Sequence, residues 1–263
     1  MTFLIPYLIT FAVILLFMTL VWGLSVRLTN ASIIDIAWGA GFVIAVWFYF
    51  WLTPEGALPR KWLITGLATV WGGRLALYLL WRNWGEEEDW RYQSFRRAGG
   101  ERWWLRSLVT VFGLQGTVMW IVSAPLLVAQ LSPTPAALTW LDYLGVIVWG
   151  IGFFFEAVGD WQLARFKANP ANQGKLLTDG LWRYTRHPNY FGDAVQWWGF
   201  FLIAASVPFG YLTIICPIIM TFLLMRVSGV VLTERRLKSV KPGYETYIAT
   251  TNTFVPGLPK KQV

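Results

Sequence analysis

Seven stretches of this chain, at about residues 3–24, 33–52, 62–82, 107–130, 139–165, 190–207 and 210–232, are long and apolar enough to cross a bilayer. Ionisable side chains lie within or at the ends of these stretches, among them Asp35, Arg74, Glu156, Asp160, Asp193 and Glu234. A helix of about 20 apolar residues spans the hydrocarbon core, where only helices and closed barrels satisfy their own backbone. An ionisable group in that core costs about 2.5–3.5 kcal/mol on insertion scales, so a chain that keeps several of them uses them. The expectation is an all-α membrane protein, seven transmembrane helices in one bundle around a polar site. Pro54, Pro59, Pro133, Pro135 and the Pro208 to Gly210 turn separate neighbouring spans as helix breakers should.

The residue inventory excludes several chemistries. One histidine, His187, and one cysteine, Cys216, leave no zinc site of the His/Cys kind and no intrachain disulfide. Gly39-Ala-Gly41 lacks the third glycine and the strand of a dinucleotide-binding fold, and no Walker loop is present. The net charge of +8 does not mark a nucleic-acid binder, because the cations follow topology. The second, fourth and sixth connections carry two (Arg60 and Lys61), none and none. The other connections and the tail hold Arg27, Arg82, Arg91, Arg96, Arg97, Arg102, Arg106, Arg165, Lys167, Lys175, Arg183, Arg186, Arg235, Arg236, Lys238, Lys241, Lys260 and Lys261. By the positive-inside rule the N-terminus is expected outside and the C-terminus in the cytosol, as a multi-pass inner-membrane protein would place them in a bacterium. The first span has no basic n-region and no small-residue cleavage site, so it is expected to be retained.

Helical spacing groups the polar residues. Glu156 and Asp160 are i and i+4, as are Arg74 and Tyr78, while Asn189, Asp193 and Gln196 share one stripe. With the expected topology all of them lie toward the cytosolic side. The fifth connection, from Lys167 through Lys175 to Arg183-Tyr-Thr-Arg186-His187-Pro188-Asn189-Tyr190, is dense in donors and ends with Pro188 in a first helical turn. A helix N-terminus beside cations suits an anion, and His187 among the arginines reads as a phosphate or ribose donor. The third connection, Glu86-Glu-Glu-Asp89-Trp90-Arg91-Tyr92, reads as a solvated mixed-charge run.

Several of these segments together resemble the steroid 5-alpha-reductase family, in its bacterial branch: TDGLWRYTRHPNYFGDAVQWWG at 178–199, Glu156-x3-Asp160, SGVVLTER at 228–235 and PGYETYIATTNTFVP at 242–256. The segments around Asp35, Trp71-Gly-Gly-Arg74 and Glu88 to Tyr92 fit the same branch. The resemblance implies a membrane reductase that takes NADPH from the cytosol without a Rossmann fold and reduces the C=C of an enone, such as a 3-oxo-delta-4 steroid. It implies residues 1–130 as substrate-side helices and 139–256 as the cofactor-binding half of one domain, with lipid as surroundings and a monomer as the working form. Asp160, Asn189, Asp193, Lys175, Arg165 and Lys167 fall at the family's cofactor positions, joined in this reading by Arg82, Glu156, Arg186, His187 and Glu234. The family's tyrosine acid is replaced by Trp71, so Asp35 is expected to polarise the ketone oxygen or donate a proton to it, with Tyr78 and Arg74 as alternates.

The Arg-His-Pro loop and late glutamate also resemble membrane S-adenosylmethionine methyltransferases of the isoprenylcysteine or phospholipid type. Chain length, the Asp160 helix ahead of the loop and the abundance of cations for phosphates favour the reductase.

Overall fold

The computed structural model describes residues 3–260; Lys261, counted above with the cations of the tail, lies outside the described residues. Every regular element among the described residues is helical, and six helices are long and apolar enough to cross a membrane. They are α1 (Leu4–Leu28), α2 (Ile33–Leu52), α3 (Leu58–Asn83), α4 (Trp90–Leu131), α5 (Trp140–Ala168) and α7 (Gly210–Val240), with α6 (Pro188–Ala205) between the last two. A short helix, α8 (Tyr244–Thr250), follows. On α1, Leu4, Leu8, Leu16, Leu20 and Leu24 are exposed while Thr10, Ile14 and Met18 are buried, an apolar surface that water would not tolerate and lipid does.

The expected sixth span, 190–207, is α6, and it is the segment that falls short of membrane-crossing apolarity. The reason is its setting. No residue from Pro188 to Ala205 is exposed, so Asn189, Asp193 and Gln196 meet protein rather than lipid. A second departure concerns the third connection. Glu86 and Glu87 are exposed, but α4 starts at Trp90, where the Asp89 carboxylate accepts the Arg91 N–H at 2.9 Å as an N-cap. A 3-10 turn at Gly100–Arg102 and a π-helical stretch at Leu108–Gly113 then bend this helix before it reaches Leu131.

The chain divides into two compact units, Met1–Thr139 with Ile203–Thr213, and Trp140–Leu202 with Ile214–Val263. In the first, α2 and α3 cross at Gly39 and Gly72. A Cβ on Gly39 would lie 2.2 Å from the Gly72 carbonyl oxygen, and one on Gly72 would lie 2.6 Å from that of Gly39. This crossing sets Asp35, one turn before Gly39, level with Ala76, one turn after Gly72. At the far end of α3, Arg60 (0% exposed) donates to the carbonyls of Pro135 and Ala137 at 3.0 Å each. Lys61 (3% exposed) donates to the Thr53 carbonyl at 2.6 Å at the end of α2, with its ammonium 4.4 Å from the Phe50 ring centre. Both cations cap orphan carbonyls instead of facing solvent.

In the second unit α5 and α6 approach at Gly152 and Gly192, where an added Cβ would meet backbone at 2.5 Å and 2.3 Å respectively. Similar approaches set Gly199 against Trp149 and Gly159 against Pro188. Small residues at such spacing let two membrane helices touch backbone to backbone. The consequence is that Glu156 and Asp160 look onto the stripe of Asn189 and Gln196.

Exposed tryptophans bracket two of the helices. On α3 they are Trp62 and Trp81, about 28 Å apart at 1.5 Å per residue; on α5 they are Trp140 and Trp161, about 32 Å apart. Both lengths match a hydrocarbon core of about 30 Å with indoles at its edges.

Candidate functional site

Two polar groups stand out, one in each unit. In the first unit, Asp35 enters α2 with one carboxylate oxygen 2.8 Å from Nη2 of Arg91 and the other 2.8 Å from the hydroxyl of Tyr92, which donates to it. Arg91 also reaches Asp89 through Nε at 2.8 Å. Glu88 fixes the bend beneath: it takes Arg96 at 2.8 and 3.0 Å and the N–H of Ala31 at 2.7 Å, while Ser32 Oγ accepts the N–H of Asp89 at 2.7 Å. The start of α4 is thereby clamped to the start of α2. Both Asp35 oxygens accept here, one from Arg91 and one from Tyr92, and the hydroxyl hydrogen in the group is that of Tyr92.

The alternates on α3 form a stack. The Tyr78 ring lies between Arg74 and Arg82, whose guanidinium carbons are 5.8 Å and 5.7 Å from its centre, at successive turns of one face. Arg82, exposed, donates from Nε to Asn83 at 3.1 Å.

In the second unit, the Asn189 amide donates to Asp160 at 3.1 Å while its oxygen accepts the N–H of Tyr190 at 3.0 Å. One turn deeper, Gln196 donates to Glu156. Asp160 and Glu156 are buried, and Asp193 is half-buried on the same face of α6.

Arg186 differs from its expected role. Its guanidinium donates to Glu234 at 2.7 and 2.8 Å, to the carbonyls of Ile248 and Thr251, and to Oγ1 of Thr253 at 2.8 Å. Ile248 lies in the last turn of α8, so the arginine satisfies carbonyls that a helix end leaves bare. With its donors held by protein, it is a peg that fastens the segment after α8 to the fifth connection. Thr185 donates to the Thr253 and Phe254 carbonyls at 3.2 and 2.8 Å, Arg186 N–H to Asn252 at 2.9 Å, and Tyr247 to the Trp182 carbonyl.

His187 joins this peg. Its Nε2 is 3.2 Å from the Glu234 oxygen that Arg186 also contacts, and its ring stacks on Tyr190 at 5.6 Å. Burial lowers its pKa, with Glu234 opposing and Arg186 reinforcing the shift. A neutral imidazole beside a carboxylate donates, which puts the hydrogen on Nε2. Burial and Glu234 push the Tyr244 hydroxyl up to about 12, and burial likewise raises Tyr247.

The remaining expected cations are at the surface. Arg165, Lys167 and Lys175 are exposed; the Lys175 carbonyl accepts from Lys241 at 3.2 Å, and Arg165 lies over Trp161 at 5.5 Å. What sequence reasoning missed are Tyr92 and Arg91. Their signal was Asp89, an N-cap residue directly before Trp90, which starts a helix where a loop was expected.

A family described as a protein of unknown function (DUF1295) matches residues 21–251. This chain belongs to the DUF1295 family. An uncharacterized protein of Schizosaccharomyces pombe is 26% identical to this family member over 211 residues, 70% of the chain and 60% of the yeast protein. A probable O-methyltransferase, ustE, of Ustilaginoidea virens is 35% identical over 66 residues, 25% of the chain and 23% of the fungal protein. The matched parts therefore span less than two thirds of either relative. No solved structure matches significantly.

Proposed function

We propose that this DUF1295 protein is a membrane-embedded NADPH-dependent reductase of an enone C=C bond, acting on a 3-oxo-delta-4 steroid or a related lipid. The observation that carries the reading is the Asp35–Tyr92–Arg91 group, an oriented phenol at the polar end of apolar helices. Reducing an enone builds negative charge on the ketone oxygen, which a preorganised O–H donor stabilises. Methylating a carboxylate requires no such donor.

In this reading the protein has seven spans, α6 being the one enclosed by protein, with its N-terminus outside and its C-terminus in the cytosol. The inward-turned Arg60 and Lys61 support that orientation, since the connection they come from then presents no free cation to its side of the membrane. The donor set of the second unit fits a pyridine nucleotide. Asp160, Asp193 and Glu156 are acceptors for ribose hydroxyls and an amide, Asn189 holds both roles, and the exposed Lys167 and Lys175 are suited to phosphates. When bound, the reduced nicotinamide supplies the hydride for the β-carbon of the enone. Tyr92 turns its hydrogen from Asp35 to the ketone oxygen, and Arg91 keeps the Asp35 carboxylate neutralised while that hydrogen is away. Asp35 positions the phenol, water supplies the proton that the enolate takes at its α-carbon to give the saturated ketone, and Tyr92 returns its hydrogen bond to Asp35 when product leaves.

A second reading is an S-adenosylmethionine-dependent methyltransferase. The likeness to the probable O-methyltransferase favours it, as does a second unit whose buried carboxylates suit a sulfonium cation. Calorimetric titration of the detergent-purified protein with NADPH and, separately, with S-adenosylmethionine separates the two, followed by NADPH oxidation on progesterone. Binding of NADPH with enone reduction supports the reductase; binding of S-adenosylmethionine alone replaces it.

A further inference from the structure

A cavity of about 630 Å3 opens in the second unit beside the last turns of α5 and the connection that follows. Its amides belong to the wall. Gln162 accepts the N–H of Leu181 at 3.0 Å, Asn169 accepts that of Ala171 at 3.0 Å, and Asn172 donates to the Phe166 carbonyl at 3.0 Å. Two opposite charges on the same lining are not used this way. Arg165 rests on the Trp161 indole and pairs with no carboxylate among the described residues. Asp179 stands before the turn Gly180–Arg183, yet its carboxylate caps nothing there.

The cavity also continues an apolar stripe. Ile147, Ile151, Phe154 and Trp161 are exposed on α5, and Arg165 lies five turns beyond Ile147 on the same line of the helix. Trp161 is the indole that marks the edge of the hydrocarbon on this helix. A guanidinium, a carboxylate and an indole at the edge, with exposed apolar side chains running inward from them, match an amphiphile whose head carries both charges.

We propose that this cavity holds the headgroup of an amine-bearing zwitterionic phospholipid, with the phosphodiester on Arg165 and the ammonium on Asp179 and the Trp161 face, and the acyl chains along Ile147, Ile151 and Phe154. A purely anionic head would meet Asp179, and a soluble zwitterion would leave the stripe unused. The site takes nothing from the donor set assigned above to the nucleotide, and it gives to the lipid the Arg165 that the family resemblance offers to the cofactor.

The test is native mass spectrometry of the full chain released from nanodiscs of equal phosphatidylethanolamine and phosphatidylglycerol, for the wild type, Arg165→Gln and Asp179→Asn. The wild type is expected to retain phosphatidylethanolamine over phosphatidylglycerol by about fivefold, the worth of one exposed charge contact. Asp179→Asn brings that ratio to about one, and Arg165→Gln weakens retention of both lipids about fivefold. Both side chains are at the surface, so the fold survives either change; should Arg165→Gln express poorly, the ratio for Asp179→Asn decides. Equal retention by the wild type overturns the site. Displacement of the lipid by added NADPH or S-adenosylmethionine also overturns it, giving the cavity to a nucleotide instead.

Discussion

The hydroxyl of Tyr92 donates to Asp35 at 2.8 Å across the join between the start of α4 and the start of α2. Neither residue holds this geometry alone. Arg91 takes the other carboxylate oxygen, and the Glu88–Arg96 pair keeps the bend closed. In the proposed reduction, Tyr92→Phe lowers turnover by about 100-fold or more while leaving the NADPH affinity unchanged, as loss of a positioned donor does. Stopped-flow NADPH oxidation with a separate binding titration reads the two effects. Full turnover by the phenylalanine variant would remove Tyr92 from the chemistry.

Arg186→Lys keeps the charge but not the fork that reaches Glu234, Ile248, Thr251 and Thr253 together. The expected loss is about 3 kcal/mol, the scale of opening a buried charge pair, seen as a lower unfolding temperature in detergent. Thr253→Ala removes one contact and costs about 1 kcal/mol. A lysine variant as stable as the wild type would show that the peg is not what holds the segment.

Stability depends on pH through His187. Its folded pKa lies below the ordinary 6.5, so near that pH and below it the unfolded chain binds a proton that the folded one refuses. The stability it contributes is complete above pH 6.5 and falls as the pH drops toward the folded value. His187→Gln should flatten this part of the curve, measured as unfolding temperature between about pH 7.5 and pH 5. An unchanged slope would assign the dependence to another group.

Gly192→Ala places a methyl 2.3 Å from the backbone N of Glu156, which no rotamer relieves. The helices must part, at a cost of about 1–3 kcal/mol, and the carboxylates of α5 shift against Asn189. Gly150→Ala is the control, since an added Cβ there meets nothing within 4 Å. It should be neutral or stabilising by up to about 1 kcal/mol, because alanine favours the helix. Thermal unfolding together with NADPH titration separates the pair; equal behaviour would mean that the α5–α6 spacing is not set by this contact.

The apolar helices were legible because their signal is a long run, and runs survive ignorance of neighbours. The polar faces of α5 and α6 followed from i, i+4 spacing alone, and the structure brings Asp160 to Asn189 and Glu156 to Gln196. Partners at long range were not legible. Nothing local tells that Arg186 will meet carbonyls 62 and 65 residues later, so a cation in a basic loop read as a phosphate donor. The same holds for Arg60 and Lys61, whose burial depends on where the chain after Leu131 returns. Tyr92 was hidden for a different reason: charged neighbours masked the start of a helix, and a one-residue N-cap is a weaker mark than a span.

The peg at Arg186 also has a consequence in time. The ribosome delivers the fifth connection well before the residues that hold it, and Asn252, which accepts from the Arg186 backbone, follows 66 residues later. At about 5–20 residues per second, that is a wait of roughly 3–13 s. Through that interval Arg186 and His187 face a nascent chain with no Thr253 to grasp, and the second unit leaves the translocation machinery unfastened. Its fifth connection is closed only by residues that follow α8, so a stall or cleavage upstream of Thr251 yields a chain in which that loop stays open.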